Sequence, residues 1–180
     1  STKAVAHTIK TYSKFSIPYP YPVAISVEAS NGMEYPMICF NNGRCADDGT
    51  YTEATKYSML GVIIHEVGHN FFPMIVNSDE RQWSWMDEGL NTYYDNRYAI
   101  AEEKEKGSPK HAGFPSEIKM QQLIYETIAS VHRDQPIITP ADSLYKLNYQ
   151  AITYYKTADW FNKLEKELGQ PVFDSCIRTY

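Results

Sequence analysis

The chain has 180 residues, 43% of them hydrophobic and 22% charged, which is ordinary for a globular protein with one sizeable core. Its formal net charge of −5 argues against a nucleic-acid partner, because phosphate binding requires a basic surface. No apolar run approaches the ~18 residues that cross a bilayer, and the first residues lack the apolar stretch of a signal peptide. The sequence therefore predicts one domain over residues 1–180 with no membrane segment, and it assigns no compartment.

The first part of the chain predicts a helix followed by a small sheet. Apolar residues recur at helical spacing over residues 1–16. Alternating prolines exclude a helix over residues 17–22, and the alternating pattern of residues 23–27 predicts a strand. Residues 33–40 predict a second strand, in which Pro36 indicates an edge position. The sheet is thus expected over about residues 22–40, with an edge that is open to an extended peptide.

The remainder of the chain, from about residue 53, predicts helices. Thr52 is expected to cap a helix that ends near Phe72, before a proline. Gly169 is expected to end the long helix at about 149–168. Other helices are predicted from about residue 80 to Gly107, at about 116–132, from residue 139 (a short one) and at 172–180, and a loop is predicted at 107–115. These elements predict an α+β fold in which a small N-terminal sheet precedes a mainly helical bundle.

The three cysteines do not form a disulfide framework. Cys39 and Cys45 flank a turn-like segment, so a local bridge and two free thiols are both compatible with the sequence. Cys176 has no evident partner.

The chemical signal is the segment His65-Glu66-Val67-Gly68-His69. Positions i and i+4 of a helix share one face, so His65 and His69 can bind one metal ion and Glu66 can reach a water on it. Catalytic zinc takes three protein ligands, and Glu88 is the candidate for the third. A solvent-facing histidine pair on an ordinary amphipathic helix is the alternative, but the apolar run before His65 favours a buried helix and therefore a bound metal.

Three motifs in order resemble the aminopeptidase N family of gluzincin peptidases, which includes leukotriene hydrolase. Eighteen residues separate the second histidine of the motif from Glu88, as in that family. Upstream, Gly32-Met33-Glu34 is similar to the family's G-x-M-E-N motif, with Tyr35 in place of Asn. Downstream, the segment 149–156 resembles its tyrosine region. The resemblance implies a thermolysin-like catalytic domain, here a fragment of a longer protein with neighbouring domains.

The resemblance also implies a role for each matching residue. One Zn²⁺ per chain would be bound by the two histidines and Glu88. Glu34 would bind the free α-amino group of a peptide, and Gly32 and Met33 would contact the substrate through their backbone. Tyr154 would stabilise the oxyanion, and Tyr149 would be a second tyrosine of the site.

Some assignments have alternatives. Tyr155 could replace Tyr154, since Thr157 stands where the family usually has Gly. Asp87 and Asp95 are candidates to accept a hydrogen bond from a metal-bound histidine, a role that a backbone carbonyl also fills.

These residues predict a zinc aminopeptidase in which Glu66 is the general base and the substrate is a peptide with a free N-terminus. A thermolysin-type endopeptidase is the first alternative, and Glu34 argues against it. A non-catalytic zinc-binding fragment of a larger peptidase is the second, and epoxide hydrolysis is a remote third.

Overall fold

A computed structural model describes residues 2–43, 45–106 and 114–180, without the side chains of 102–106 and 114–117. The chain divides into two compact units, Ser1–Val76 and Asn77–Tyr180. The first contains a small sheet and two helices, and the second is helical in all of its described elements. The predicted α+β class is confirmed. The predicted loop at 107–115 lies largely outside the described residues.

The first unit has a three-stranded sheet between two helices in the chain order α1, β1, β2, β3, α2. The central strand, β3, pairs in parallel with β1 and antiparallel with β2, so β1 and β2 are the edges. The bounds are α1 Thr2–Phe15, β1 Ile25–Glu28, β2 Met33–Tyr35, β3 Ile38–Asn41 and α2 Glu53–Gly68.

The single strand predicted over residues 33–40 is wrong, because these residues form the β2–β3 hairpin. Pro36 and Met37 make the turn. Proline fixes its own φ and suits the first central position of a turn, while Met37 adopts a left-handed φ of 66°. The predicted edge is still present as β2, but Pro36 lies in the turn beside it.

Helix α2 begins where the sequence predicts and ends earlier. The Thr52 Oγ1 accepts a hydrogen bond from the Thr55 amide at 3.1 Å, as an N-cap does. The helix ends at Gly68 rather than near Phe72, and irregular turns follow. Only its last turns are buried. Their apolar side chains form the core of this unit with residues of α1 and β3, namely Val5, Cys39, Ile63 and Val67.

No disulfide joins Cys39 to Cys45. Cys39 is a free thiol buried in the core of the first unit, whereas Cys45 and Cys176 are free and exposed. Of the two possibilities that the sequence left open, the structure therefore has free thiols.

The second unit consists of helices, two of which begin as π-helix. The first π-helical segment, Trp85–Gly89, continues into α3, and the second, Tyr149–Lys156, continues into α6. The long helix predicted at 149–168 is therefore present, with its first half in π geometry. The other bounds are α3 Leu90–Lys106, α4 Phe114–Ser130, a 3₁₀ turn Ala141–Ser143, α5 Lys146–Asn148, α6 Thr157–Leu168 and α7 Gln170–Thr179.

A buried ion pair anchors α3 within the second unit. Both guanidinium nitrogens of Arg97 donate to the carboxylate of Asp174 on α7, and the guanidinium lies 5.8 Å from the ring centroid of Tyr93. The Tyr93 hydroxyl donates to Glu165 of α6 at 2.6 Å. These contacts fix the helix that directly follows the first π-helical segment. Among the helices described, none has the length and apolar character to cross a membrane.

Candidate active site

The two histidines of the motif lie side by side at the end of α2. Their Nε2 atoms are 3.1 Å apart and their rings are nearly perpendicular, at 88°. Two nitrogens of a tetrahedral zinc site with bonds of about 2.05 Å are separated by about 3.3 Å. The spacing of His65 and His69 therefore fits a zinc ion bound by both Nε2 atoms.

The ring orientation of His69 is set by the backbone. Its Nδ1 lies 2.8 Å from the carbonyl oxygen of Phe72, and because a carbonyl only accepts, Nδ1 carries the proton. The lone pair is then on Nε2, the atom that points to His65. The sequence offers Asp87 and Asp95 as candidates for such an acceptor. For His69 it is the Phe72 carbonyl, which no side-chain pattern could identify.

Glu66 is buried and lies against the start of the β2–β3 hairpin. The residue is 7% exposed. A Cβ atom added at Gly32 would lie 2.3 Å from Glu66 Oε1 and 3.3 Å from Val62 Cγ1. Glycine at position 32 therefore leaves the space that the carboxylate occupies.

Glu34 is on the side of the hairpin that faces α2. It pairs with Cys39 across the antiparallel strands, and directly opposed residues share one face of a sheet. Cys39 packs with Ile63 and Val67 of α2. Burial raises the pKa of the Cys39 thiol, and the negative charge of Glu66 adds to this effect. The hairpin thus places Glu34 on the face that packs against α2, the motif helix, which carries His65 and Glu66. Met33 is exposed on the opposite face.

In the second unit, Glu88 and Tyr154 lie together on the two π-helical segments. Burial raises the pKa of the Tyr154 phenol, and the charge of Glu88 and a hydrogen bond to its carboxylate raise it further. Tyr154 therefore keeps its proton and acts as a hydrogen-bond donor. The π geometry is common at functional sites.

The other residues of the tyrosine region surround Tyr154 in different ways. The ring of Tyr149 is exposed and its centroid is 6.4 Å from that of Tyr154. The Tyr155 ring centroid is 6.5 Å from that of Tyr154, and Lys156 Nζ donates to Asp134 Oδ2 at 2.7 Å. Tyr154 is hydrogen-bonded to Glu88, and the choice between Tyr154 and Tyr155 for the oxyanion stays a prediction.

The two π-helical segments touch at Gly89, a position that the sequence did not single out. A Cβ there would lie 2.4 Å from the Thr153 carbonyl oxygen and 2.4 Å from Thr157 Cγ2. The adjacent buried hydroxyls of Ser84 and Thr153 are 3.3 Å apart. Gly89 thus allows the backbone beside Glu88 to approach the helix that carries Tyr154. In the sequence, the feature that could have indicated this contact is the glycine that directly follows Glu88, the candidate third ligand.

Comparison with known proteins identifies the family of this chain. The peptidase family M1 domain matches residues 2–180. Aminopeptidase M1-A of Oryza sativa subsp. japonica is 24% identical over 92% of the chain and 19% of its own length. Aminopeptidase 2 of Candida albicans is 24% identical over 100% of the chain and 20% of its own length. The chain thus spans about a fifth of the length of these curated relatives.

Solved structures share the fold. The M1 zinc metallopeptidase of Deinococcus radiodurans superposes with a TM-score of 0.69 at 17% identity, over 100% of this chain and 36% of that one. LTA4 hydrolase of yeast superposes with a TM-score of 0.64 at 18% identity, over 98% of this chain and 28% of that one. Because the family domain extends over almost every residue, the chain belongs to peptidase family M1.

Proposed function

We propose that this chain is the catalytic portion of a zinc aminopeptidase, which hydrolyses the N-terminal peptide bond of peptides. The observation that carries the proposal is the pair of Nε2 atoms of His65 and His69, 3.1 Å apart, beside the buried carboxylate of Glu66. The names of the relatives, aminopeptidases and zinc metallopeptidases, support the same activity.

His65, His69 and Glu88 would hold the zinc ion. The donor set suits the metal, since two imidazoles and one carboxylate are ligands of catalytic zinc sites. The backbone acceptor on His69 Nδ1 leaves Nε2 as the nitrogen that would bind the ion. When bound, zinc supplies Lewis-acid chemistry: it acidifies a water molecule and polarises a carbonyl group.

Glu66 acts as the general base. It follows His65 directly, and its burial removes competing solvent from around the carboxylate. It takes a proton from the attacking water and delivers it to the leaving amine, so one carboxylate serves both steps of the hydrolysis.

Glu34 binds the free α-amino group of the substrate. It lies at the open edge of the sheet, on the face that packs against the motif helix. An extended peptide can pair with such an edge, and a carboxylate near its first residue attracts the ammonium group. This charge pair gives the enzyme its preference for free N-termini, while Gly32 and Met33 offer backbone groups to the same peptide.

Tyr154 stabilises the oxyanion that develops on the scissile carbonyl. Its raised pKa, caused by burial and by Glu88, keeps the phenol protonated. Its one proton, which is bound to Glu88 here, would transfer its hydrogen bond to the oxyanion, and a donor to developing charge lowers the barrier. Tyr149, exposed beside it, is available to the substrate. The chain would act with neighbouring domains of a longer protein, since it spans 19% to 36% of the relatives that it matches.

Metal content and peptide hydrolysis test the proposal. The purified chain should contain one zinc per chain by elemental analysis, and His69→Ala should lose it because one ligand of the set is removed. His132→Asn is the matched control: it also removes an imidazole, at an exposed position with φ of 55° that asparagine tolerates.

The zinc-loaded chain is then assayed with a peptide that has a free N-terminus and with the same peptide acetylated there. An aminopeptidase cleaves only the first. Cleavage of both would indicate an endopeptidase, and zinc binding without cleavage of either would indicate a non-catalytic fragment.

A further inference from the structure

We propose that Asn70 is a positioning residue that holds the β2–β3 hairpin against the motif helix and thereby fixes the location of Glu34. The proposal rests on the proposed function, because it concerns how the substrate's amino group is located. Asn70 follows His69 directly in the sequence and is 2% exposed. No motif identified it in advance.

The side-chain amide of Asn70 joins three segments of the first unit. Its Oδ1 accepts a hydrogen bond from the Met37 backbone N–H at 2.8 Å and lies 3.4 Å from the Tyr19 hydroxyl. Its Nδ2 donates to the Val67 carbonyl at 3.1 Å. Buried amides with both ends satisfied fix the segments they join, since breaking one bond leaves a costly buried group.

The Met37 end of this link is under backbone strain. A left-handed φ of 66° is uncommon for a residue with a side chain and is retained only where the surroundings enforce it. The Met37 carbonyl accepts from the Ile25 amide at 2.8 Å, and its N–H is bound by Asn70. Both backbone groups of the turn residue are therefore held, one by β1 and one by Asn70.

The hairpin contacts the helix at both ends of β2. At the start of the strand, Gly32 lies against Val62 and Glu66; after its end, Met37 binds Asn70. Val62 and Glu66 lie about one turn apart on α2, and Asn70 follows four residues after Glu66, in the turn beyond the end of the helix. Between these two contacts lies Glu34, so its distance from the motif is fixed by Glu66 at one end and Asn70 at the other.

Tyr19 strengthens the link without adding charge. Burial raises the pKa of its phenol to about 12, so the hydroxyl remains a donor. Its one proton is shared between the Val23 carbonyl at 2.8 Å and Asn70 Oδ1 at 3.4 Å. Tyr19→Phe therefore removes the bond to Val23 and the longer contact to Asn70 Oδ1, leaves the Met37 bond to Oδ1 in place, and serves as the control.

The test compares Asn70→Leu, which removes the acceptor, with Asn70→Asp, which keeps an acceptor but loses the donor to Val67. Hydrogen exchange of the Met37 amide is the primary readout. We expect Asn70→Leu to accelerate it about 10-fold, the effect of losing one net hydrogen bond, whereas Asn70→Asp and Tyr19→Phe retain most of the protection.

If Asn70 only caps the end of α2, a different result is expected. Asn70→Asp and Asn70→Leu would then weaken the end of the helix equally, and the Met37 amide would stay protected in both. Equal exchange of Met37 in Asn70→Leu and in the unsubstituted chain overturns the proposal, whether or not the chain cleaves peptides.

The second readout is hydrolysis of a free-amine peptide by the zinc-loaded variants. Asn70→Leu should raise KM about 10-fold, as expected for a displaced charge pair, with a much smaller change in kcat and unchanged zinc content. An unchanged KM also overturns the positioning role. Absence of cleavage by the unsubstituted chain contradicts the proposed function instead. The exchange of the Met37 amide then tests by itself whether Asn70 holds the hairpin.

Discussion

Gly32 and Glu66 are in direct contact: a single carbon added at Gly32 would lie 2.3 Å from the Glu66 Oε1 atom. The carboxylate of Glu66, the proposed base, therefore packs directly against the backbone of Gly32, which precedes the edge strand β2. This contact joins the Gly32-Met33-Glu34 segment to the His65–His69 motif, although more than thirty residues separate Gly32 from Glu66 in the sequence.

Gly32→Ala should reduce kcat/KM by at least about 10-fold, because the added methyl group displaces a carboxylate whose position matters for proton transfer. Zinc content should remain unchanged, since no proposed ligand is altered. The control is Gly61→Ala on α2, the helix that carries Glu66. Nothing lies within 4 Å of a Cβ at Gly61, and the substitution should stabilise the helix by about 0.5–1 kcal/mol. Equal activity of both variants would contradict the contact.

Tyr154→Phe should lower kcat about 100-fold and leave KM nearly unchanged, because a donor to the developing oxyanion acts mainly in the transition state. Tyr155 is half-buried, and Tyr155→Phe should change kcat by less than a factor of about 3, because its hydroxyl has no proposed role in the transition state. The measurement is steady-state hydrolysis of a free-amine peptide. The opposite ranking of the two variants would assign the role to Tyr155.

Gly89→Ala should destabilise the chain by about 2 kcal/mol, the usual cost of overpacking a filled site, and should reduce activity, because it separates Glu88 from Tyr154. Thermal or denaturant unfolding measures the first effect. Adding Thr157→Ser should restore part of the stability by removing the Cγ2 atom at 2.4 Å. The Thr153 carbonyl remains at the same distance, so restoration should be incomplete, and full restoration would contradict the backbone contact.

Asp159 should make stability depend on acid pH. Burial opposes its charge, but hydrogen bonds from Lys163, Tyr125 and Gln122 outweigh burial and hold the pKa of this carboxyl below its ordinary value. A depressed folded-state pKa stabilises the protein above the unfolded value, near 4, and this stabilisation is lost as pH falls through the folded pKa. Denaturant unfolding between pH 7 and pH 2 measures the loss.

Asp159→Asn is the matching variant for that experiment. It should be less stable than the unsubstituted chain at pH 7 and should lack the part of the acid loss that this carboxyl contributes. Identical pH profiles for the two proteins would contradict the assigned cause.

The sequence by itself identified the elements with strong local signals. Neighbouring residues determine the cap at Thr52 and the helix end at Gly169, because capping and a left-handed glycine are local properties of a helix. The i, i+4 spacing likewise predicts that His65 and His69 lie side by side, which the structure has at the end of α2. The α+β class follows in the same way, from prolines and alternation at one end of the chain and helical periodicity at the other.

Tertiary structure decided the features whose partners are distant in sequence. The turn places Met37 at a left-handed φ, which local propensity disfavours for a residue other than glycine. The amide of Asn70, 33 positions later, stabilises this conformation by accepting a hydrogen bond from the Met37 N–H. The π geometry around Tyr154, the Phe72 carbonyl that orients His69, and the closeness of Gly89 to Thr153 likewise depend on packing. The physical reason is that the energies of these arrangements come from contacts between segments, and a pattern of neighbouring residues does not contain them.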